Sequence, residues 1–431
     1  MTNLFLAAAM PQIEPSRFSM LPFALLLLCI AFLPIVLQRH WERYYHLIAL
    51  FLAGVTAAYY VFGLGQPQPI LREFADYVRF MALVGALFVI AGGIHVRIRG
   101  EATPLFNCGF LLAATLAGSV LGTTGSSILL IRPWLRANKH RYTGFHTAFF
   151  IFLVCNIGGG LTPMGPPLFL GYLKGVPFTW MLRHCWLPWS VATAALLLIF
   201  YFIDRRSFRA VPPGARDADS APCKIDIQGR RNLFFLAIIL AAVFIRRPSF
   251  LRELIMLIAA AGSYFVTPPK VHSDNEFSFA PLREVGWLFL GIFLTMVPVL
   301  DFMQLHARDL AIDTPAEFYW VAGALSAVLD NAPTYLTFLA NALGRAGLSI
   351  EDPHAVRQFL ASGGAEAAAI SLGAVLFGAL TYIGNSPNFM IKSITEQHKV
   401  HTPGFVGFIL KFSLPILAPV LLLVCWLLPR S

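Results

Sequence analysis

The stretch VCNIGGGLTPMGPP (154–167) interrupts an otherwise apolar segment with four glycines and three prolines. A second interruption, TYIGNSPN (381–388), lies in the other half of the chain. Each is preceded by a polar stretch, LGTTGSSILLIRP (121–133) or VLDNAPTYLT (328–337). In hydrocarbon an unpaired backbone N–H or C=O costs several kcal/mol, so broken chain at membrane depth is expected only where it lines a cavity or a site. Matching breaks in two halves therefore predict the binding site of a secondary transporter.

The composition indicates an integral membrane protein. The 431 residues are 57% hydrophobic and 13% charged, with a mean hydropathy of +0.69, whereas soluble domains carry about 25% charged residues. The net charge of +10 is assigned to short loops that set membrane orientation, so no nucleic-acid partner is expected. The six cysteines lack ligand spacing, and we expect no disulfide and no metal cluster.

The apolar pattern predicts an all-α polytopic membrane protein built from an inverted repeat of about five transmembrane helices each, with two re-entrant hairpins and two broken helices. The stretch 20–37 is expected to be the first membrane helix rather than a cleaved signal. For the short stretches 232–245 and 254–267 two alternatives remain: each crosses the membrane, or the two form a pair that does not cross it. The predicted segments are a first repeat at 1–203 (hairpin 103–137, broken helix 144–172), a polar cytoplasmic linker at 204–231, and a second repeat at 232–431 (hairpin 315–345, broken helix 359–392).

The orientation of the two halves follows from parity. A hairpin returns to its starting side, so each half crosses an odd number of times and the halves face opposite ways. With the N-terminus outside, the inner loops hold the larger share of the 32 Lys and Arg residues, as the positive-inside rule requires. We expect a multi-pass protein of the inner (plasma) membrane.

The first half supplies two groups of candidate ligands. At the hairpin tip, backbone carbonyls, hydroxyls and half-helix ends could coordinate an ion or a carboxylate, although Ser and Thr could instead bond within a helix and Gly could serve packing. In the broken helix the alternative is a tight packing kink, but a kink needs only one or two helix breakers. The candidates are Thr123, Thr124, Gly125, Ser126 and Ser127 at the tip, and Asn156, Gly159 and Thr162 in the break.

The second half supplies a carboxylate. Asp330 and Asn331 stand in an apolar context before Pro333, and an intramembrane carboxylate is by default a functional-site hypothesis. The alternative is an N-cap that begins a half-helix, and both roles are compatible. Asp330 and Glu366 are the possible proton carriers, although Glu366 also suits an exposed first helical turn. The remaining candidates are Thr334, Asn385, Ser386 and Asn388.

Taken together, these motifs resemble the ion transporter superfamily. The segments GTTGSSILLIRPWLRANKHR, FFIFLVCNIGGGLTPMGPPLFLGYLKGVPF, LDNAPTYL and GALTYIGNSPNFMIKSI are most similar to its citrate-transporter branch, which is usually labelled sodium:proton antiporter and is related to NhaD-type antiporters. The resemblance implies a homodimer with a scaffold and a moving transport domain, and a site between the hairpin tips and the broken helices. Relatives often read GDPP where this chain has Gly165, Pro166 and Pro167, a departure that bears on cation binding.

Three functions follow from these observations. The leading hypothesis is an ion-coupled secondary transporter working as a sodium:proton antiporter, because Na⁺ and H⁺ can compete for the single carboxylate of Asp330. The alternative is cation-coupled transport of citrate or a related carboxylate, which ranks second because no Arg lies clearly at mid-membrane. The third is a channel or a non-transporting membrane protein. We expect no enzyme activity, no cofactor, no metal beyond transported Na⁺, and Na⁺ or H⁺ as the coupling ion.

Overall fold

A computed structural model describes residues 14–99, 102–210, 224–245, 248, 250–398 and 402–428. Within these residues, seven helices are long and apolar enough to cross a membrane, and the bent pair Pro353–Ser362 and Gly364–Leu380 would make an eighth. The prediction of an all-α polytopic membrane protein is confirmed, apart from one small sheet.

The helices and strands follow the chain in two halves. The first half contains α1 (Leu21–Val36), α2 (Gln38–Ala58), α3 (Gln68–Gly92), β1 (His95–Arg99), α4 (Pro104–Ala137), α5 (Gly144–Phe150), α6 (Pro166–Lys174) and α7 (Trp180–Ala210). The second half contains β2 (Lys224–Gln228), α8 (Asn232–Ala242), α9 (Leu251–Val266), α10 (Pro269–Asp274), α11 (Ala280–Leu305), α12 (Pro315–Ser326), α13 (Asn331–Arg345), α14 (Pro353–Ser362), α15 (Gly364–Phe377), α16 (Ser386–Gln397), α17 (Phe405–Phe408) and α18 (Ala418–Trp426).

Helix α4 folds back on itself. Its 34 residues would extend about 50 Å as a straight helix, yet the Asn107 amide donates to Asn138 Oδ1 at 2.8 Å. The turn is at Gly122, where φ is 72° and ψ is 158°, a backbone conformation essentially restricted to glycine. A Cβ at Gly122 would also lie 2.9 Å from the carbonyl oxygen of Met164. We call this element hairpin 1 (104–137).

Helices α12 and α13 form a second hairpin, which we call hairpin 2 (315–345). Arg345 at its end pairs with Asp313 just before its start, with Nη2 and Oδ1 2.7 Å apart. Thr314 and Glu317 form a capping box that begins the first arm, and Asp330 caps the second arm by accepting the Ala332 N–H at 3.0 Å. The tip is therefore the short segment 327–330.

The bases of the two hairpins lie at opposite ends of α11. Arg132 of hairpin 1 donates to the carbonyl of Asn275, just before α11 begins, at 2.7 Å. At the other end, a Cβ at Gly344 of hairpin 2 would meet the backbone of Gln304 at 2.5 Å. Because the 26 residues of α11 extend roughly 39 Å, the two hairpin bases lie far apart along this helix, and the inverted repeat stays a prediction.

Each half also contains an interrupted helix. In the first, α5 continues through a π-helical turn, Ile151–Asn156, and a 3₁₀ turn, Ile157–Gly159, before α6 resumes at Pro166. In the second, α15 continues through the 3₁₀ turn Gly378–Leu380, and α16 begins at Ser386. The predicted range 359–392 begins too early, because residues up to Ser362 belong to α14, which bends by 101° from the following helix.

The predicted polar linker at 204–231 is only partly a surface connection. Residues 204–210 continue α7, and Lys224–Gln228 forms a strand antiparallel to β1, with His95 opposite Gln228. The alternation Lys-Ile-Asp-Ile-Gln suits a strand with two different faces. Residues 211–223 lie outside the described part of the chain.

Helices α8 and α9 correspond to the two short apolar stretches, 232–245 and 254–267. They contain 11 and 16 residues, or roughly 16 and 24 Å, which is less than the ~30 Å of a hydrocarbon core. The Asn232 amide donates to Gly93 O at 2.6 Å and to Thr267 Oγ1 at 2.8 Å. The start of α8 and the end of α9 therefore meet beside the end of α3.

The opposed hairpins give a topology test. In a cysteine-free background, Arg136→Cys at the base of hairpin 1 and Ala346→Cys after hairpin 2 are expected to react with an impermeant maleimide from opposite faces. Both positions are exposed. Ser273→Cys should share the face of Arg136→Cys, and Asp309→Cys that of Ala346→Cys, because these residues flank opposite ends of α11. Labelling of all four from one side would contradict the fold.

Candidate functional site

The tip of hairpin 1 is bound to the first interrupted helix. Ser119 Oγ donates to the carbonyl of Gly158 at 2.7 Å, and the Thr162 hydroxyl donates back to the carbonyl of Ser119. A Cβ at Gly118 would lie 3.0 Å from the Cα of Gly158, so the glycines allow the two backbones to approach closely. Each hydroxyl thus pairs a carbonyl of the other element, close to the point where that element's helix is interrupted.

Hairpin 2 is bound to the second interrupted helix in the same manner. Ser326 Oγ donates to the carbonyl of Ala374 at 2.6 Å, and Thr381 Oγ1 donates to the carbonyl of Ala327 at 2.5 Å. A Cβ at Gly384 would lie 2.7 Å from the carbonyl oxygen of Ser326. Each hairpin tip therefore packs on the break of its own half.

A shared motif, Leu-Thr-x-x-Gly at 161–165 and 380–384, underlies this similarity, and the sequence prediction missed it. Thr162 and Thr381 are its equivalent residues, since both donate to the hairpin of their half. By this alignment Asn156 and Asn385 do not correspond, because Asn156 precedes the motif and Asn385 follows it. The sequence itself contains this signal, since Leu, Thr and Gly occur in both halves with the same spacing.

Three asparagines join the two breaks to each other. The Asn156 amide donates to Ile151 O at 2.8 Å and to Asn388 Oδ1 at 2.9 Å. The Asn385 amide donates to Cys155 O at 2.7 Å, and the Asn388 amide donates to Gly378 O at 2.8 Å and Thr381 O at 2.9 Å. All three are buried. In this conformation Asn156 and Asn388 stabilise the crossing of the breaks, and their role as substrate ligands stays a prediction.

A cavity of about 460 Å³ lies beside these elements. Four of the predicted residues line it: Thr124, Asp330, Asn385 and Ser386. The opposite wall comes from α1, α2, α3 and the start of α11, through Ile30, Trp41, Phe88 and Pro281, among others. The cavity thus separates the hairpins and breaks from the helices around them.

Arg132 also lines this cavity, together with Asn275 and Glu276. Its Nη2 atom lies 2.6 Å from Glu276 Oε2, and its Nε atom is buried with no hydrogen-bond partner in the part of the chain that the structure describes. The side chain of Glu276 is 68% exposed, so this end of the cavity faces water. Arg132 was not among the site residues predicted from the sequence.

Two predicted ligands have buried oxygen atoms without a partner among the described residues. They are Thr123 Oγ1, next to the turn of hairpin 1, and Asn331 Oδ1, in the first residue of α13. A buried oxygen that lacks a hydrogen-bond donor suits a cation ligand, because hard cations bind hydroxyl, amide and carboxylate oxygens. Asp330 adds the charge, and its carboxyl also interacts with the backbone N–H of Ser386.

The other predicted residues are occupied elsewhere. Ser126 and Thr334 donate to carbonyls of their own helices, Thr123 O at 3.2 Å and Asp330 O at 3.0 Å. Gly125 packs against Ala91 of α3, and Gly159 against Thr123. Glu366 is half-buried in the first turn of α15, roughly 18 Å along the helix from Gly378, so the structure does not bring it to the breaks.

The protein has long apolar helices, and its two hairpins and two interrupted helices lie beside one cavity. This arrangement defines a membrane transport protein. Comparison with known families agrees with this class. Residues 13–428 match the family described as "Putative citrate transport", and the chain belongs to this family. No curated protein matches the sequence. The family supports a multi-pass membrane transporter.

Proposed function

We propose that the protein is a cation-coupled transporter of citrate or a related small carboxylate. The observation that carries the proposal is the cavity that runs from Arg132 to Asp330. Its volume of about 460 Å³ falls in the ~300–1,000 Å³ range of small-molecule sites. The family match supports the same substrate class.

The electrostatics of the cavity suit a carboxylate bound together with a cation. The half-helices α13 and α16 begin beside it, at Asn331 and Ser386, and helix N-termini attract anions. Arg132 lines the cavity, and this cation supports our proposal of carboxylate transport over sodium:proton antiport. Asp330 repels a bare anion, so a cation held by Asp330 would complete the site.

The coupling ion is proposed to be Na⁺ or H⁺. The unpartnered Thr123 Oγ1 and Asn331 Oδ1 favour Na⁺, since a bare cation needs several oxygen ligands. The second candidate function, sodium:proton antiport, rests on Asp330 itself, which could exchange the two ions without a carboxylate substrate. We retain the inner (plasma) membrane and the homodimer as predictions from the sequence.

The decisive experiment is uptake into proteoliposomes, with citrate, Na⁺ and pH gradients varied in turn. We expect saturable citrate uptake that depends on an inward cation gradient. Cation exchange at full rate without citrate would favour the antiporter instead. Uptake that continues without any driving gradient and does not saturate would indicate a channel.

Arg132→Gln is the variant that tests the carboxylate end of the cavity. Arg132 can exchange its exposed partner Glu276 for a substrate carboxylate, a charge-assisted bond worth about 1.5–3 kcal/mol. We therefore expect the KM for citrate to rise by about 10- to 100-fold, with normal abundance in the membrane. Arg136→Gln, one turn along the same arm and exposed, should leave the KM unchanged. An unchanged KM in Arg132→Gln would exclude this end of the cavity as the carboxylate site.

A further inference from the structure

A second charged cluster lies far from the cavity, around Lys174 at the end of α6. Lys174 Nζ contacts three carboxylates: Glu351 Oε1 at 2.7 Å, Asp76 Oδ2 at 3.1 Å, and Glu73 Oε1. The side chains of Lys174 and Glu73 are each only 4% exposed. These four residues form what we call the Lys174 cluster, which the sequence analysis did not identify.

The Lys174 cluster holds more negative than positive charge. Its single ammonium faces three carboxylates, and the only further cation paired with them among the described residues is Arg79, whose Nη1 lies 2.6 Å from Asp76 Oδ1. One carboxylate charge is thus left over when all groups are ionised. Burying an uncompensated charge is costly, and such a group usually takes up a proton instead.

One atom is available for that proton. Glu73 Oε2 is buried and has no hydrogen-bond partner within the described part of the chain, whereas Glu73 Oε1 contacts Lys174. Asp76 and Glu351 are more exposed, at 10% and 25% of their side chains. A proton bound at Glu73 Oε2 would neutralise the surplus charge and change no other bond.

One more acidic group lies near the cluster. Asp301 of α11 interacts electrostatically with Lys174 and Glu351, and it accepts a hydrogen bond from the Tyr60 hydroxyl at 2.7 Å. Its charge adds to the surplus rather than relieving it. The charged groups that interact with Glu73 itself are Lys174, Glu351 and Asp76.

The position of the cluster connects it with the transport elements. Lys174 ends α6, the second part of the first interrupted helix, while Glu351 follows hairpin 2. Glu73 lies near the start of α3, whose other end lines the cavity through Phe88, Ala91 and Gly92. The separation between Glu73 and Ala91 along α3 is roughly 27 Å, so the cluster closes the face opposite the cavity.

We infer that the Lys174 cluster is a proton-binding site, with Glu73 as the proton carrier, which couples proton binding to opening of the face opposite the cavity. The inference rests on the proposed transport function and adds a coupling site distinct from Asp330. With the proton bound, the cluster is closer to neutral and holds α3, α6 and the segment after hairpin 2 together. Loss of the proton leaves a buried charge, which favours entry of water and separation of these elements.

The first test needs no substrate. The folded protein would bind a proton that the unfolded chain releases near neutral pH, so its stability should fall as pH rises. We expect the Tm of the purified full chain to fall between about pH 5.5 and about pH 8.5, and Glu73→Gln to reduce this fall by roughly 2–4 °C. Glu253→Gln is the matched control, because Glu253 is similarly buried but its Oε1 atom pairs with its own arginine, Arg252, at 2.6 Å.

A second variant covers the case in which Glu73→Gln does not fold. Glu351→Gln removes one of the three carboxylates, at the more exposed edge of the cluster, so the surplus negative charge that favours a proton on Glu73 should decrease. We expect it to flatten the pH dependence of the Tm in the same direction. Equal pH dependence in the wild type, Glu351→Gln and Glu253→Gln would overturn the proton site.

A transport assay tests whether proton binding at the Lys174 cluster is coupled to transport. In proteoliposomes with only a pH gradient imposed, Glu73→Gln should lose citrate accumulation by about tenfold or more, while Glu253→Gln keeps it. Retained accumulation in Glu73→Gln would overturn the coupling role. Wild-type accumulation that needs a Na⁺ gradient and does not respond to a pH gradient would also overturn the coupling role. If the wild type carries no citrate under either gradient, the proposed substrate is wrong, and the Tm comparison still decides whether the Lys174 cluster binds a proton.

Discussion

Asp330→Asn is expected to reduce coupled transport by about 100-fold or more while leaving the protein folded and inserted. The amide keeps the oxygen that accepts the Ala332 N–H at 3.0 Å, so the cap of α13 survives. The substitution removes the charge that would hold a coupling cation in the cavity beside Asn385 and Ser386. Two orders of magnitude correspond to about 2.7 kcal/mol, within the range for losing a charged ligand.

The chain offers a matched control for this variant. Asp352 also caps a helix, and its carboxyl accepts the His354 N–H at 2.8 Å, but it does not line the cavity. Asp352→Asn should transport at the wild-type rate. Initial rates of uptake, measured at several Na⁺ concentrations and pH values, check both variants. Wild-type transport with unchanged ion dependence in Asp330→Asn would mean that Asp330 is only a helix cap.

The second large effect is expected on folding, from Asp204→Ala. Asp204 is fully buried near the end of α7, where it pairs with Arg141, lies 3.2 Å from His146 Nε2 and accepts the Asn107 amide at 3.0 Å. It therefore joins α7 to the base of hairpin 1 and to the start of α5. Removing it leaves the buried charge of Arg141 uncompensated, which costs about 3–5 kcal/mol.

Membrane abundance and the Tm measure this effect. Asp274→Ala is the control, because Asp274 also pairs with an arginine, Arg97, at 2.5 Å, but its side chain is 26% exposed. A partly exposed pair contributes about 0–1 kcal/mol, so Asp274→Ala should remain close to wild type. Similar stability losses in the two variants would contradict the structural role of Asp204.

Sequence patterns located the hairpins because each polar tip lies between two apolar arms that are too short to cross twice. The structure turns hairpin 1 at Gly122, one residue before the predicted tip. Four candidates, Thr124, Asp330, Asn385 and Ser386, line one cavity, since polar residues at membrane depth have few other roles. Glu366 lies apart from these four, in the first turn of α15, because its distance from the breaks depends on where α15 begins.

Side-chain roles within the breaks were harder to predict. Asn156 and Asn388 have the same chemistry as ligand asparagines, but their amides bind carbonyls freed by the broken helices. Which partner an amide takes depends on how the two breaks cross, and that crossing brings together residues 232 positions apart. The alternation of Lys224–Gln228 likewise became a strand only because β1 lies beside it.

The sequence by itself determined the membrane class, the two hairpins and the two interruptions, because hydropathy and helix-breaking residues act locally along the chain. Only the tertiary structure decided which polar groups face the cavity and which pair with each other. Arg132 belongs to the cavity because hairpin 1 folds back against the start of α11. Lys174 meets Glu73 and Glu351 across 101 and 177 residues, a proximity that no local pattern encodes, since it arises from the packing of three separate elements.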